Sequence, residues 1–268
     1  MPSSSQRSCH FFSIFITSKG RAISTFYGLA VTPPVGKDDD VSSPTYILVH
    51  GAWGGAWCWR DVGVELDQRG VAWRAVDLPS SRNDAGPQTG LAEDAEAVAA
   101  LANDDGPYVL VAHSYGGAVA AEVASRIQNL QKCIYVAALI PGPGESATEV
   151  SRRIRVRTLL DDAIEVRGDF LRLKSDQAGE ALYNQCTAET AQWAVEQLST
   201  QTLASFRTHR ESENSRTETI YLRCSNDHAV NPQIQQLMSE ECDFALSLES
   251  DHSPFLSQPS EFCDVILS

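Results

Sequence analysis

Val109-Leu110-Val111-Ala112-His113-Ser114-Tyr115-Gly116-Gly117-Ala118-Val119 decides the reading of this chain. Four apolar residues suited to a strand run straight into a helix of small residues, and a serine stands at the junction. A serine on so tight a strand-to-helix turn is held in a strained backbone conformation, its hydroxyl exposed and the positive end of the helix behind it. Small neighbours are needed for strand and helix to approach. The usual spacing is Gly-x-Ser-x-Gly; here Ala112 replaces the first glycine and Gly116 supplies the second. The bland alternative, that Ser114 only caps a helix, leaves Gly116-Gly117 and the preceding apolar run without a reason. Ser114 is therefore the candidate nucleophile.

Outward from this turn, short apolar runs alternate with amphipathic stretches, as in a parallel sheet with crossover helices. Candidate strands are Tyr46 to Val49, Ala72 to Val76, Tyr108 to Ala112, Cys133 to Leu139, Thr219 to Cys224 and Phe244 to Leu248. Candidate helices are Leu91 to Leu101, Gly116 to Ile127 and Gln233 to Met238. From Pro141-Gly142-Pro143-Gly144 to about residue 215 the rhythm breaks. A hairpin over Ile164 to Lys174, turning at Gly168, and a helix over Ala188 to Leu198 are expected there. That region reads as an insertion between two halves of one sheet.

A nucleophilic serine needs a base and an oriented carboxylate, met here in the chain order Ser, Asp, His. The strand ending at Cys224 leads into Ser225-Asn226-Asp227-His228, and the one ending at Leu248 into Glu249-Ser250-Asp251-His252. Asp227 and His252 are the candidates. Glu145 is a rival acid, while Asp251 is too close in sequence to fold back on the ring. His50 reads as structural, and His228 adjoins the acid it would have to bridge. The backbone amides of Ala52 and Tyr115 are the candidate oxyanion donors. Trp53, Trp57 and Trp193 are candidate pocket residues. In the insertion, Phe170, Tyr183 and Phe206 join Trp193 as the aromatics expected to face inward.

Composition bounds the rest. The 268 residues are 43% hydrophobic and 21% charged, with 21 basic against 35 acidic side chains and a net charge of −14. Such a chain has a sizeable core and repels nucleic acid and anionic lipid. No apolar run approaches the roughly 18 to 20 residues of a membrane span, so no membrane association is expected. Seven scattered cysteines without a Cys-x-x-Cys pair suit free core thiols and a reducing, cytoplasmic setting. The first 37 residues hold Arg7, Lys19, Arg21 and Lys37 but no acid. Residues 1–43 therefore read as an extension, with one extra strand over Ala22 to Thr32 or an organelle-targeting segment as alternatives. Residues 44–268 form the expected domain, with its insertion at about 141–215.

Together, Val49-His50-Gly51-Ala52-Trp53, Asp77-Leu78-Pro79-Ser80-Ser81, Ala112 to Gly117, Cys224 to Pro232 and His252-Ser253-Pro254-Phe255-Leu256 resemble the α/β-hydrolase superfamily. The closer resemblance is to small lidded esterases: plant methyl-ester esterases, hydroxynitrile lyases and bacterial pyrethroid-type carboxylesterases. It covers about residues 45–268. It implies an α/β-hydrolase fold with a mostly parallel sheet, a Ser114, Asp227, His252 triad, a lid made by the insertion, and no metal or organic cofactor. A small-molecule ester is the implied substrate, and a homodimer stays open as an assembly. In that family the lyases carry a hydroxyl residue just after the first-strand histidine and a lysine just after the catalytic one. Gly51 and Ser253 stand there instead, which favours hydrolysis. A ligand-binding protein on the same scaffold is the other alternative.

Overall fold

A computed structural model describes residues 43–268 and the backbone of one short strand before them, β1 (Phe15–Ile16). The first half of the domain runs β2 (Thr45–Val49), α1 (Arg60–Gln68), β3 (Trp73–Ala75), α2 (Leu91–Ala99), β4 (Tyr108–His113), α3 (Gly116–Val123) and β5 (Leu130–Val136). The insertion follows: α4 (Ala147–Ser151), α5 (Leu159–Ala163), β6 (Ile164–Arg167), β7 (Phe170–Leu173), α6 (Ser175–Leu182), α7 (Ala188–Gln197), β8 (Gln201–Thr202) and α8 (Leu203–Arg207). The chain then resumes with β9 (Glu218–Cys224), α9 (Pro232–Glu241), β10 (Phe244–Leu248), α10 (Pro254–Ser257) and α11 (Pro259–Ile266).

The main sheet has the order β1-β10-β9-β5-β4-β2-β3, parallel throughout except for the antiparallel edge pair β1–β10. Its central strands are apolar on both faces because helices cover both, which is why they read as continuous hydrophobic runs. Ile47, Leu110, Ala112 and Tyr135 face one layer, with buried residues of α2, α3 and α9. Leu48, Val111, Ile134 and Val136 face the other, with α1, α10 and α11. A second sheet, β6-β7-β8, is antiparallel and lies in the insertion.

Several sequence-based boundaries shift. The fourth expected strand is Leu130–Val136, not Cys133 to Leu139: Ala137 takes φ +43° and turns the chain out of the sheet. The helix expected over Gly116 to Ile127 is α-helical only to Val123, and Ala124–Arg126 tighten into a 3₁₀ turn. The hairpin turns at Gly168, φ +61°, as expected, but its third strand β8 is too short to show a period. The alternative strand over residues 22–32 lies outside the described residues.

Candidate active site

The candidate residues lie on loops at the carboxyl ends of parallel strands, where open α/β sheets gather their binding groups. At the end of β4, Ser114 has φ +53°, a left-handed conformation that costs a non-glycine residue about 1–2 kcal/mol. Neighbouring backbone holds it there: the Ser114 amide donates to Val136 O at 3.1 Å, and its carbonyl accepts from the amides of Gly117 at 3.0 Å and Leu139 at 3.1 Å. Glycine is needed at 116 for contact reasons, since a Cβ there would lie 2.6 Å from the His50 carbonyl and 2.9 Å from that of Val49. At Gly51 a Cβ would lie 2.9 Å from that of Ser114. Ala112 is tolerated because it is an ordinary strand residue, paired with Val49 and Tyr135.

His252 follows β10 and is buried. Its Nδ1 lies 2.8 Å from Asp227 Oδ2. All other partners of that carboxylate are donors: the amides of Ala229 at 2.7 Å and Val230 at 2.9 Å on Oδ1, and Gln235 Nε2 at 2.9 Å on Oδ2. The pair is therefore satisfied with the proton on Nδ1, which leaves Nε2 as a base. Gln235 is a site residue that sequence reading missed. Its one signal is a place on α9, eight residues after Asp227.

The rivals are engaged elsewhere. Glu145 accepts from Arg153 at 2.6 and 3.0 Å and from the Gly142 amide. Asp251 accepts from the Ser253 amide, Ser257 Oγ and the Gln185 amide, tying the histidine loop to the insertion. His228 Nδ1 lies 3.4 Å from Glu180 on α6. His50 is structural, as expected: its Nδ1 donates to Gly51 O at 2.7 Å and its Nε2 accepts from the Leu78 amide at 3.0 Å. Burial pushes its pKa down to about 4.

His113 Nε2 donates to the His252 carbonyl at 2.8 Å, with the two rings 4.4 Å apart. Burial and the neighbouring His252 ring hold His113 well below the usual histidine range, so it stays neutral. It supports the loop that presents His252. Nothing in its spacing separates that role from a bystander's.

Ser114 and His252 line one small pocket together with Ala52, Trp53 and Trp57. Trp53, φ +61°, spends its amide on Gln201 Oε1, which leaves the preceding amide, Ala52, as the candidate donor on this loop. Tyr115 turns its side chain into the core, its hydroxyl donating to Asp94 at 2.7 Å. Asp94 also accepts from Ser80 Oγ, which accepts from Gln201 Nε2 at 2.8 Å. A buried network therefore joins Trp53 and Tyr115, the two residues bordering the candidate oxyanion site. Burial raises the Asp94 carboxyl despite these donors.

A larger cavity of about 800 Å³ also opens on Ser114, walled by Trp53, Leu139, Leu171, Phe206 and Val230 among others. Of the expected aromatics, Phe206 lines it and Tyr183 lines the smaller pocket. Trp193 does not line these two pockets: its ring is taken up instead by edge-on packing against Trp57 and by Arg60, which lies over it at 3.7 Å. Phe170 faces a separate surface groove beside Asn83 and Arg172.

Among curated proteins, the chain is 28% identical to Methylesterase 7 of Arabidopsis thaliana over 260 residues, covering 85% of this chain and 97% of that protein. It is 34% identical to a carbendazim hydrolyzing esterase of Nocardioides over 112 residues, 38% of this chain and 44% of that protein. Among solved structures, a pyrethroid hydrolase from Sphingobium faniae superposes with a TM-score of 0.73 at 22% identity, covering 84% of this chain and 96% of the other. Polyneuridine aldehyde esterase superposes with a TM-score of 0.70 at 20% identity, covering 84% and 98%. The alpha/beta hydrolase family model matches residues 46–265. The chain belongs to the alpha/beta hydrolase family.

Proposed function

We propose that this protein is a serine hydrolase that cleaves carboxylic esters through an acyl-enzyme. The observation that carries the reading is the buried Asp227–His252 bond of 2.8 Å, on a histidine that shares a pocket with Ser114 at φ +53°. His252 Nε2 removes the Ser114 proton as Oγ attacks the ester carbonyl, and Asp227 keeps the imidazole in the required tautomer and stabilises its charge. The Ala52 and Tyr115 amides receive the oxyanion. The same Nε2 then protonates the leaving alcohol, and water repeats the sequence to release the acid. The insertion acts as the lid over the cavity, with Phe206 and Leu171 shaping the acyl site.

Names among the relatives, methylesterases and a pyrethroid hydrolase, agree with ester cleavage. Among the described residues no helix is long and apolar enough to cross a membrane. Among the described residues no disulfide forms, and five of the six cysteines there are buried, which supports a reducing, cytoplasmic setting. A p-nitrophenyl ester panel tests the reaction: Ser114→Ala is expected to lose about a thousandfold or more in kcat. Undiminished turnover by the purified variant refutes the assignment.

A further inference from the structure

The cavity that opens on Ser114 has a rim that acyl transfer does not use. Trp53, Leu139, Leu171, Val230 and Ile234 of its apolar wall are buried, whereas Arg152, Arg155, Arg157 and Arg207, which line the same cavity, are exposed and so stand at its solvent side. Three of them come from the single run Arg152-Arg153-Ile154-Arg155-Val156-Arg157 between α4 and α5, and the fourth ends α8. In a chain of net charge −14, four of the 21 basic residues thus converge on one opening.

Their pairing is uneven. Arg157 is ion-paired with Asp162, and His209, also on this rim, lies 3.3 Å from Glu149. Arg153 turns away to Glu145 and Glu241. The carboxylate of Asp161, another lining residue, faces the amide and hydroxyl of its own helix cap, Thr158. Among the described residues, Arg152, Arg155 and Arg207 have no carboxylate within ion-pair distance. Three unneutralised guanidinium groups over an apolar pocket make a local positive field inside an acidic protein, and guanidinium geometry matches a carboxylate.

Resting on the ester-hydrolase reading, we propose that the substrates are small-alkyl esters of acids that carry a second, ionised carboxylate at the end remote from the scissile ester. Arg152, Arg155 and Arg207 hold that carboxylate while the apolar wall takes the intervening chain. For a methyl ester, water adds to the acyl carbon and the acyl C–O bond breaks. The products are methanol, the dicarboxylate and one proton.

The test compares monomethyl suberate, a monoanion at pH 7.5, with its neutral dimethyl diester. At low salt kcat/KM is expected to favour the monoanion by about tenfold, equivalent to about 1.4 kcal/mol. In 1 M NaCl, where the screening length shrinks to about 3 Å, the ratio should fall towards parity. Each single Arg→Gln change at 152, 155 or 207 should lower the ratio about twofold to fivefold, and the triple variant should abolish it. Arg126→Gln, which removes an exposed pair with Glu96 away from the cavity, should preserve it. A calorimetric arm titrates Ser114→Ala protein with both esters and reads anion preference without turnover. Turnover of the diester at least as fast as the monoanion, an unchanged ratio in the triple variant, or absence of monoanion binding in the calorimetric arm overturns the proposal. Selective monoanion binding without turnover of either ester by the wild type supports the rim and refutes the hydrolase reading.

Discussion

Replacing Asp227 by asparagine swaps one carboxylate oxygen for an NH₂ in a site where every neighbour is a donor. If the NH₂ took the Oδ1 position, it would face the backbone amides of Ala229 and Val230, and neither can become an acceptor. In the Oδ2 position it faces Gln235 Nε2 and His252 Nδ1. Gln235 cannot turn over, because its Nε2 also donates to the Val230 carbonyl and its Oε1 accepts from the Cys224 amide. His252 can yield, by moving its proton from Nδ1 to Nε2. The second orientation therefore wins, at a cost of about 1–3 kcal/mol for one opposed donor pair, or roughly 2–10 °C in melting temperature for a domain of this size. The imidazole is then locked in a tautomer that cannot accept the Ser114 proton. Turnover should fall about 10⁴-fold, close to 5 kcal/mol of barrier, with KM changing little. Steady-state kinetics on a p-nitrophenyl ester, with circular dichroism to check folding, make the measurement. Glu145→Gln, whose carboxylate serves Arg153, is the paired control and should stay near wild type. A folded Asp227→Asn within tenfold of wild type, or a Glu145→Gln as damaged as expected for Asp227→Asn, refutes the reasoning.

Gly116→Ala places a Cβ 2.6 Å from a backbone carbonyl that no rotamer change can move, so chemical denaturation should show a loss of about 3 kcal/mol or more, or no soluble protein. A loss under 1 kcal/mol contradicts the packing described. The buried His50, with its pKa lowered from 6.5 to about 4, binds its proton more readily in the unfolded chain. Its contribution is therefore intact above about pH 6.5 and falls with pH, by about 2 kcal/mol at pH 5 and about 3 once the pH is below 4. Depression of His113 acts in the same direction. Urea titrations at pH 7.5 and 5 should show this drop, and a flat profile would refute it. Deleting residues 1–43 removes the two-residue pairing of β1 with β10 at the sheet edge, and calorimetry should register a melting shift below about 4 °C with esterase activity retained.

The elbow, the order of candidate strands and the candidates Ser114, Asp227 and His252 were legible without coordinates because their signals are local. An apolar run against small residues marks a strand-to-helix turn, and turn-rich segments after predicted strands mark the loops that present an acid and a base. Ala137 shows where locality ends. Its neighbours are all apolar, so nothing in composition separates the last strand residue, Val136, from the turn that a positive φ starts. Trp193 shows the same for the pocket: an amphipathic helix is readable, but which neighbour its aromatic ring meets is not, and the ring found Trp57 and Arg60.

From the sequence alone came the parallel α/β architecture, the insertion and the chemistry of the candidate residues, since each follows from short-range periodicity, turn chemistry and the reactivity of a side-chain type. Only the tertiary structure decided which carboxylate meets His252, which amide next to Trp53 is left for an oxyanion, and which arginines face the opening above Ser114. Those depend on contacts between residues up to 148 positions apart, such as Trp53 with Gln201. A hydrogen bond is satisfied by whichever group the folded chain brings within about 3 Å, and distance along the chain carries no information about that.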